Sequence, residues 1–349
     1  MIGIFILLTV VFILMTAFPF MLVLGIPKDE QGTLVVRSDN KRDPRYFAVS
    51  FKEIVKKALK IDAEDEYLAL SKPEQFIYSE ELEEKVVDRL VVCRGDYIVK
   101  EPTTFEKEIY SENSVVFAEN TQARAVVAKK LWLKGMCHIL RWCDGEEEAY
   151  IGKKCDLGVS ATSDKYLQVM EECTFQRLYA PQVDIMAEGK NKRPEKRVME
   201  SEGVLELEIS DKYEIAEKNM KVIKEKSVIN GNIITKYPLI IEEGVQIFGH
   251  VKSRKNIFIK KNVKIDGNVF ADGNIILEGD NYLTGDVFSQ QDVYIGPDSI
   301  IGQSGKIKSV VAKSNICLSE DVTVFGYVGC DGCGRTLTRG NFQQLVSDW

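Results

Sequence analysis

Between about Lys221 and Val328 the same apolar positions return every 18 residues, and this repeat restricts the fold more than any local pattern does. Leu205, Ile223, Ile241, Ile259, Leu277 and Ile295 form one series. Leu239, Ile257, Ile275 and Val293 form a second; Ile229, Ile247, Ile265, Leu283 and Ile301 form a third, with Gly231, Gly249, Gly267 and Gly285 in step. Beyond Ile295 a five-residue insertion restores every register, because Val293, Ile295 and Ile301 are followed 23 residues later by Ile316, Leu318 and Val324. One loop inserted into a regular repeat accounts for the shift.

Inside each unit the apolar residues alternate, as in Val245, Ile247, Gly249 and Val251 followed by Ile257 and Ile259. A period of two means strand, and short strands divided by Asn, Gly, Asp or Lys mean a chain that keeps turning. An 18-residue coil of three short faces cannot bury its own inward side chains, so neighbouring coils stack and supply the core. The expected fold is all-β, a parallel β-helix (β-solenoid) of 18-residue triangular coils. The glycines read as corners or close approaches, and Asn230, Asn232, Asn256, Asn262, Asn268 and Asn274 read as turn residues rather than ligands.

Residues 1–27 carry no charged side chain, and Ile2–Leu24 is almost wholly apolar. That length suits a transmembrane helix, and a basic start, short apolar core and clear cleavage site are all missing. Lys28, Arg37, Lys41, Arg42 and Arg45 follow the span, whereas only the chain's amino terminus precedes it. The asymmetry predicts a single-pass cell-membrane anchor through residues 2–24 with the C-terminal body in the cytoplasm. Residues 28–89 read as a juxtamembrane and helical capping region. There Phe47, Phe51, Ile54, Val55, Ala58 and Leu59 follow helical spacing opposite Lys52, Lys56, Lys57 and Lys60. Packing of this helix on the body is preferred to a position along the membrane. A second helix is expected over Ser79–Val87, with Ser79 as N-cap; Tyr67–Tyr78 shows no secure pattern.

A less regular solenoid segment is expected over residues 90–187. Val115, Leu133, Ile151 and Val169 share the 18-residue spacing, as do Leu131, Ala149 and Leu167, and Ile139, Leu157 and Phe175. Cys137, Cys155 and Cys173 have it too, and read as a stack in or near the core, with a three-thiolate metal site as the competing reading. A charged loop occupies 188–200, and Leu205 and Ile223 place prompt resumption of coils in a second, regular segment over 201–338. The two segments are expected to stack, continuous or nearly so. The 8 cysteines do not form a secreted framework, and Cys330 with Cys333 makes a lone CxxC that could serve a redox or zinc role without any visible partner pair. Residues 339–349 form a terminal tail in which Phe342, Leu345, Val346 and Trp349 would cover the terminal coil.

The units over 245–277 resemble bactofilins, the polymer-forming cytoskeletal proteins of bacteria. The resemblance rests on V-x-I-x-G-x-V at Val245–Val251, its reprise V-x-I-D-G-N-V at Val263–Val269, and N-I-x-I at Asn256–Ile259. It extends over about 221–328, weakens over 97–180, and implies a right-handed triangular β-helix that joins end to end without nucleotide, near a membrane, as a scaffold. The chain departs from that family in its size, its two blocks of coils and its flanking caps. A competing resemblance is to hexapeptide-repeat acyltransferases, which place a catalytic histidine at a subunit cleft. Only His138 and His250 are available, and the sequence sets no recognisable acid partner beside either. The net charge of −7 and a pI near 5.3 give no support to nucleic acid binding.

Together these features predict a membrane-anchored structural scaffold: a homo-oligomer or polymer, not an enzyme, with no cofactor and with an unidentified protein as a further partner. A non-polymerising membrane adaptor and the acyltransferase are the alternatives.

Overall fold

The computed structural model describes residues 3, 43–58, 67–70, 77–78, 85–187 and 220–347. Residues 44–349 fall in one compact unit; the apolar stretch 2–24 lies almost wholly outside the described residues. Among the described residues no helix is long and apolar enough to cross a membrane.

The repeat folds as a parallel β-solenoid of about 12 turns. In the second segment Lys221–Ile223, Val228–Asn230 and Ile233–Thr235 pair in parallel with Leu239–Ile241, Gln246–Phe248 and Val251–Ser253 of the next coil. The pairing continues coil by coil, so Ile223, Ile241, Ile259, Leu277, Ile295 and Leu318 are successive register partners. Ile229, Ile247, Ile265, Leu283, Ile301 and Val324 form the second such line. All of these are buried except Ile229, which packs partly exposed against the same core. Leu205 lies outside the described residues. The insertion sits after Ile301: Leu283 still pairs with Ile301, but Val287 pairs with Val310, so the extra residues fall in 302–307.

Corners explain much of the polar sequence. Left-handed backbone recurs at Lys226, Gly244, Asn262, Asp280, Asp298 and Asp321, one per coil. Glycine, Asn and Asp tolerate that conformation best, and five of these six positions carry one of them. The glycines at 249, 267 and 285 have a different cause. A Cβ on Gly267 would stand 2.3 Å from the Gly249 carbonyl oxygen, and one on Gly285 would stand 2.2 Å from that of Gly267. Coils therefore approach too closely along this line for any side chain.

The first segment has the same construction with irregular registers. Gln122–Gly135 pairs with His138–Lys153 through register shifts, and Val115 faces Leu131 rather than Leu133. The ladder expected through Val115 is thereby corrected: a coil shortened by bulges displaces it, and Phe117 takes the position opposite Leu133. The helix expected over Ser79–Val87 is also corrected where it can be seen. Val86–Val87 is a strand paired to Thr104 and Phe105, with Val87 fully buried, so pairing of two β-branched residues overrides the helical pattern. Coils begin earlier than expected, since Tyr67–Leu70 and Ile77–Tyr78 already pair with Leu90–Cys93 and Tyr97–Ile98.

The two segments stack, but not in chain order. Thr174–Met186, in the last coil of the first, pairs antiparallel with Val322–Leu337, in the last coil of the second. Leu178 meets Val328, Val183 meets Val324 and Ile185 meets Val322, so one buried core runs through both segments. Thr336 seals the joint: its hydroxyl donates to Met170 O at 2.8 Å and accepts from Cys173 N at 2.8 Å. Thr323 donates to the buried Asp184 at 2.7 Å. The junction is therefore tail to tail, with Lys221–Ile223 in the described coil furthest from it; the expected prompt resumption of coils after 187 falls on residues 188–219, which lie outside the described residues.

Gly267→Ala should lower stability by roughly 1–3 kcal/mol through the carbonyl clash. Gly244→Asn, at a left-handed corner where Asn262 already serves one coil later, should change it by less than ~0.5 kcal/mol. Urea unfolding of the two variants beside the parent measures the contrast.

Candidate functional site

Two helices shape the outer surface of this solenoid. Helix α1, Tyr46–Ala58, lies on the outer face of the first segment. Ala48, Phe51 and Val55 fall on one helical side and pack against Leu90, Val92, Tyr110, Val127 and Trp142 of successive coils. Phe51 meets the Trp142 ring edge-on at 5.5 Å. Packing on the body is thus the arrangement found. Lys56 and Lys57 in the last turn suit the negative end of the helix.

A buried ion pair fixes this helix. Arg45 Nε and Nη2 each donate at 2.9 Å to one oxygen of Asp144, which is wholly buried, while Nη1 reaches Asp164 at 2.8 Å. Thr162 Oγ1 adds a 2.5 Å bond to Asp144, and Lys52 pairs with Glu146 beside it. Burial pushes the Asp144 carboxyl up, against the pull of Arg45 and Thr162. Burial also opposes the Arg45 charge, but Asp144 more than offsets this, and the guanidinium is held protonated. Neither partner is tolerable there alone. Arg45 had been legible only as part of a basic flank; its acid partner lies 99 residues away.

Helix α2, Arg339–Val346, begins at Thr338, whose hydroxyl caps Asn341 N. It lies along the second segment: Phe342 is buried against Ile276, Tyr294 and Cys317, with Phe258 and Val346 alongside. The expectation that the tail covers the terminal coil is corrected, since Thr174–Met186 occupies that edge and the tail instead covers an outward apolar ladder. Arg339 reaches Asp298 and Asp321 at 2.7 Å and Glu320 at 3.1 Å, tying the helix to corner acids of two coils. Leu345 is exposed, and Trp349 lies outside the described residues.

Both histidines belong to coil edges. His250 Nδ1 accepts from Asn268 N at 2.9 Å, while His250 N donates to Asn232 Oδ1 at 2.8 Å. Asn268 then accepts from Asp286 N, and Asp286 from Ser309 N, so His250 occupies one rung of a side-chain ladder. Asn256, Asn274, Asp292 and Asn315 form a parallel ladder ending on Cys333 N. His138 does have an acid partner, contrary to expectation: Asp156 Oδ2 lies 3.0 Å from its Nδ1. Their common spacing of 18 was the missed signal. Thr174 and Gly158 N also bind Asp156, and both members of the pair are half exposed. The arrangement clamps three coils together.

The cysteines pack as small apolar groups. Cys137, Cys155 and Cys173 are buried, and their thiols donate to the carbonyls of Ala118, Lys153 and Gly152. The Cys155 contact and burial push Cys137 well above the usual thiol range. Bonding with Cys137 lowers Cys155, but Cys173 and burial carry it up to about 12. Cys330 faces the core beside the junction and is pushed up to about 11 by burial, whereas Cys333 is half-buried at a corner. Among the described residues no cluster of three or more His, Cys, Asp or Glu could hold a metal ion.

The far end of the second segment differs from the junction. Val228, Ile234, Tyr237 and Phe248 all lie in its first two coils and all are exposed, Ile234 by 72%. No family model, no curated protein and no solved structure matches the chain.

Two outcomes test these roles. Arg45→Met should weaken docking of α1 by roughly 3–5 kcal/mol by stranding Asp144, and adding Asp144→Met should recover most of the loss; protection of α1 amides from hydrogen exchange reads both. His250→Ala should cost about 1 kcal/mol and His250→Asn almost nothing, since the amide oxygen replaces the lost acceptor; thermal melts compare them.

Proposed function

We propose that the chain is a bactofilin-like structural scaffold, anchored by residues 2–24 and self-associating at the cytoplasmic membrane surface, with right-handed coils as that resemblance implies. One observation carries the reading: exposed apolar residues gather at the first coils of the second segment, around Ile234 and Phe248, while the opposite edge of that segment is already occupied. Coil edges are strong templates for strand pairing, and exposed apolar residues beside an edge favour a partner over water. The internal junction supports the same reading, because it joins two coils of this chain by the kind of edge pairing that a second copy would need. The clamped His138 and the capped His250 favour a structural over a catalytic use of both histidines.

The test is light scattering and negative-stain electron microscopy of the full chain in detergent across a concentration series. Assemblies that grow with concentration, and that Ile234→Asp with Phe248→Asp reduces to single chains, are expected. Single chains at every concentration would leave a membrane adaptor, and discrete trimers would favour the acyltransferase resemblance.

A further inference from the structure

Helix α1 is docked by one side yet remains apolar on another. Phe47 and Ile54, seven positions apart and so on one helical flank, are 54% and 64% exposed. Tyr46 is also exposed, with its ring edge-on to Phe47 at 5.6 Å. A helix that served only to cover the solenoid would turn polar residues outward here. Lys57, three positions after Ile54 and so beside it on the helix, stands exposed at its last turn.

We propose that this outer flank of α1 rests on an anionic lipid surface, with Phe47 and Ile54 inserted at the headgroup boundary and Lys57 meeting lipid phosphates and carboxylates. The proposal rests on the anchored reading above. Two features of the chain name lipid as the occupant. The segment entering α1 is preceded by the uncharged apolar stretch Ile2–Leu24, and residues 25–43, at up to roughly 3.3 Å each, tether the helix within reach of whatever that stretch occupies. The pairing of exposed aromatic and aliphatic residues with a lysine at the flank's edge is the composition that interfacial helices use. The orientation is set by the Arg45 bonds to Asp144 and Asp164, which stop the helix rotating to bury Phe47 and Ile54 instead.

The experiment uses the full chain reconstituted in vesicles of phosphatidylcholine and phosphatidylserine carrying a lipid-borne fluorescence quencher. A fluorophore is placed in turn at Phe47→Cys, Ile54→Cys and, as a control, Ile307→Cys in the exposed inserted loop, each in a Cys333→Ser background. Alkaline extraction in parallel reports whether the chain is embedded. Several-fold stronger quenching at 47 and 54 than at 307 is expected. An embedded chain with equally weak quenching at all three overturns the lipid contact while leaving the anchor intact. A chain released by alkali removes the anchored reading. For that chain, quenching at 47 and 54 on added vesicles still supports the contact and its lack overturns it.

Discussion

A single 18-residue coil leaves backbone groups on both edges and apolar side chains inside without partners, and every other feature answers that deficiency. Each coil supplies the next with hydrogen bonds and core. The answer is regressive, because the last coil always lacks a neighbour. This chain resolves one end internally by turning its second segment round and setting tail against tail. Antiparallel pairing permits two edges of the same polarity to meet, which continuous parallel stacking does not. Thr336, Thr323 and Asp184 occupy that joint with their hydrogen-bonding groups satisfied inside it.

The outer surface follows from the same geometry. Stacking repeats outward side chains as ladders as well as inward ones, so a face that is apolar in one coil tends to be apolar in several. Helix α2 covers one such ladder from Phe258 to Cys317, and α1 covers another from Val92 through Tyr110 to Val127. Each helix is then fixed by an arginine reaching acids on different coils, Arg45 with Asp144 and Asp164, Arg339 with Asp298 and Asp321. The hydrophobic face determines that a helix docks; the ion pairs determine how it is rotated.

The period made the second segment legible, because Ile241, Ile259 and Leu277 repeat without a break and each sits opposite the next. It failed where spacing drifts, as at Val115, since a bulge changes coil length without leaving a distinctive residue behind. It was also silent on direction. Val183 facing Val324 is invisible to a pattern search, because an antiparallel junction between two repeats involves no common period. Partners such as His138 with Asp156 were present in the spacing, and were missed because polar residues were weighed singly rather than in ladders.

The tail-to-tail junction is the central claim, and a disulfide scan tests it most directly. Tyr179 and Tyr327 are register partners across the joint, whereas Ile234 belongs to the coil at the other end of the second segment. Under mild oxidation Tyr179→Cys with Tyr327→Cys should close a cross-link within one chain, and Tyr179→Cys with Ile234→Cys should not. Closure of the second pair in preference to the first would mean that the segments stack in chain order, contradicting the account.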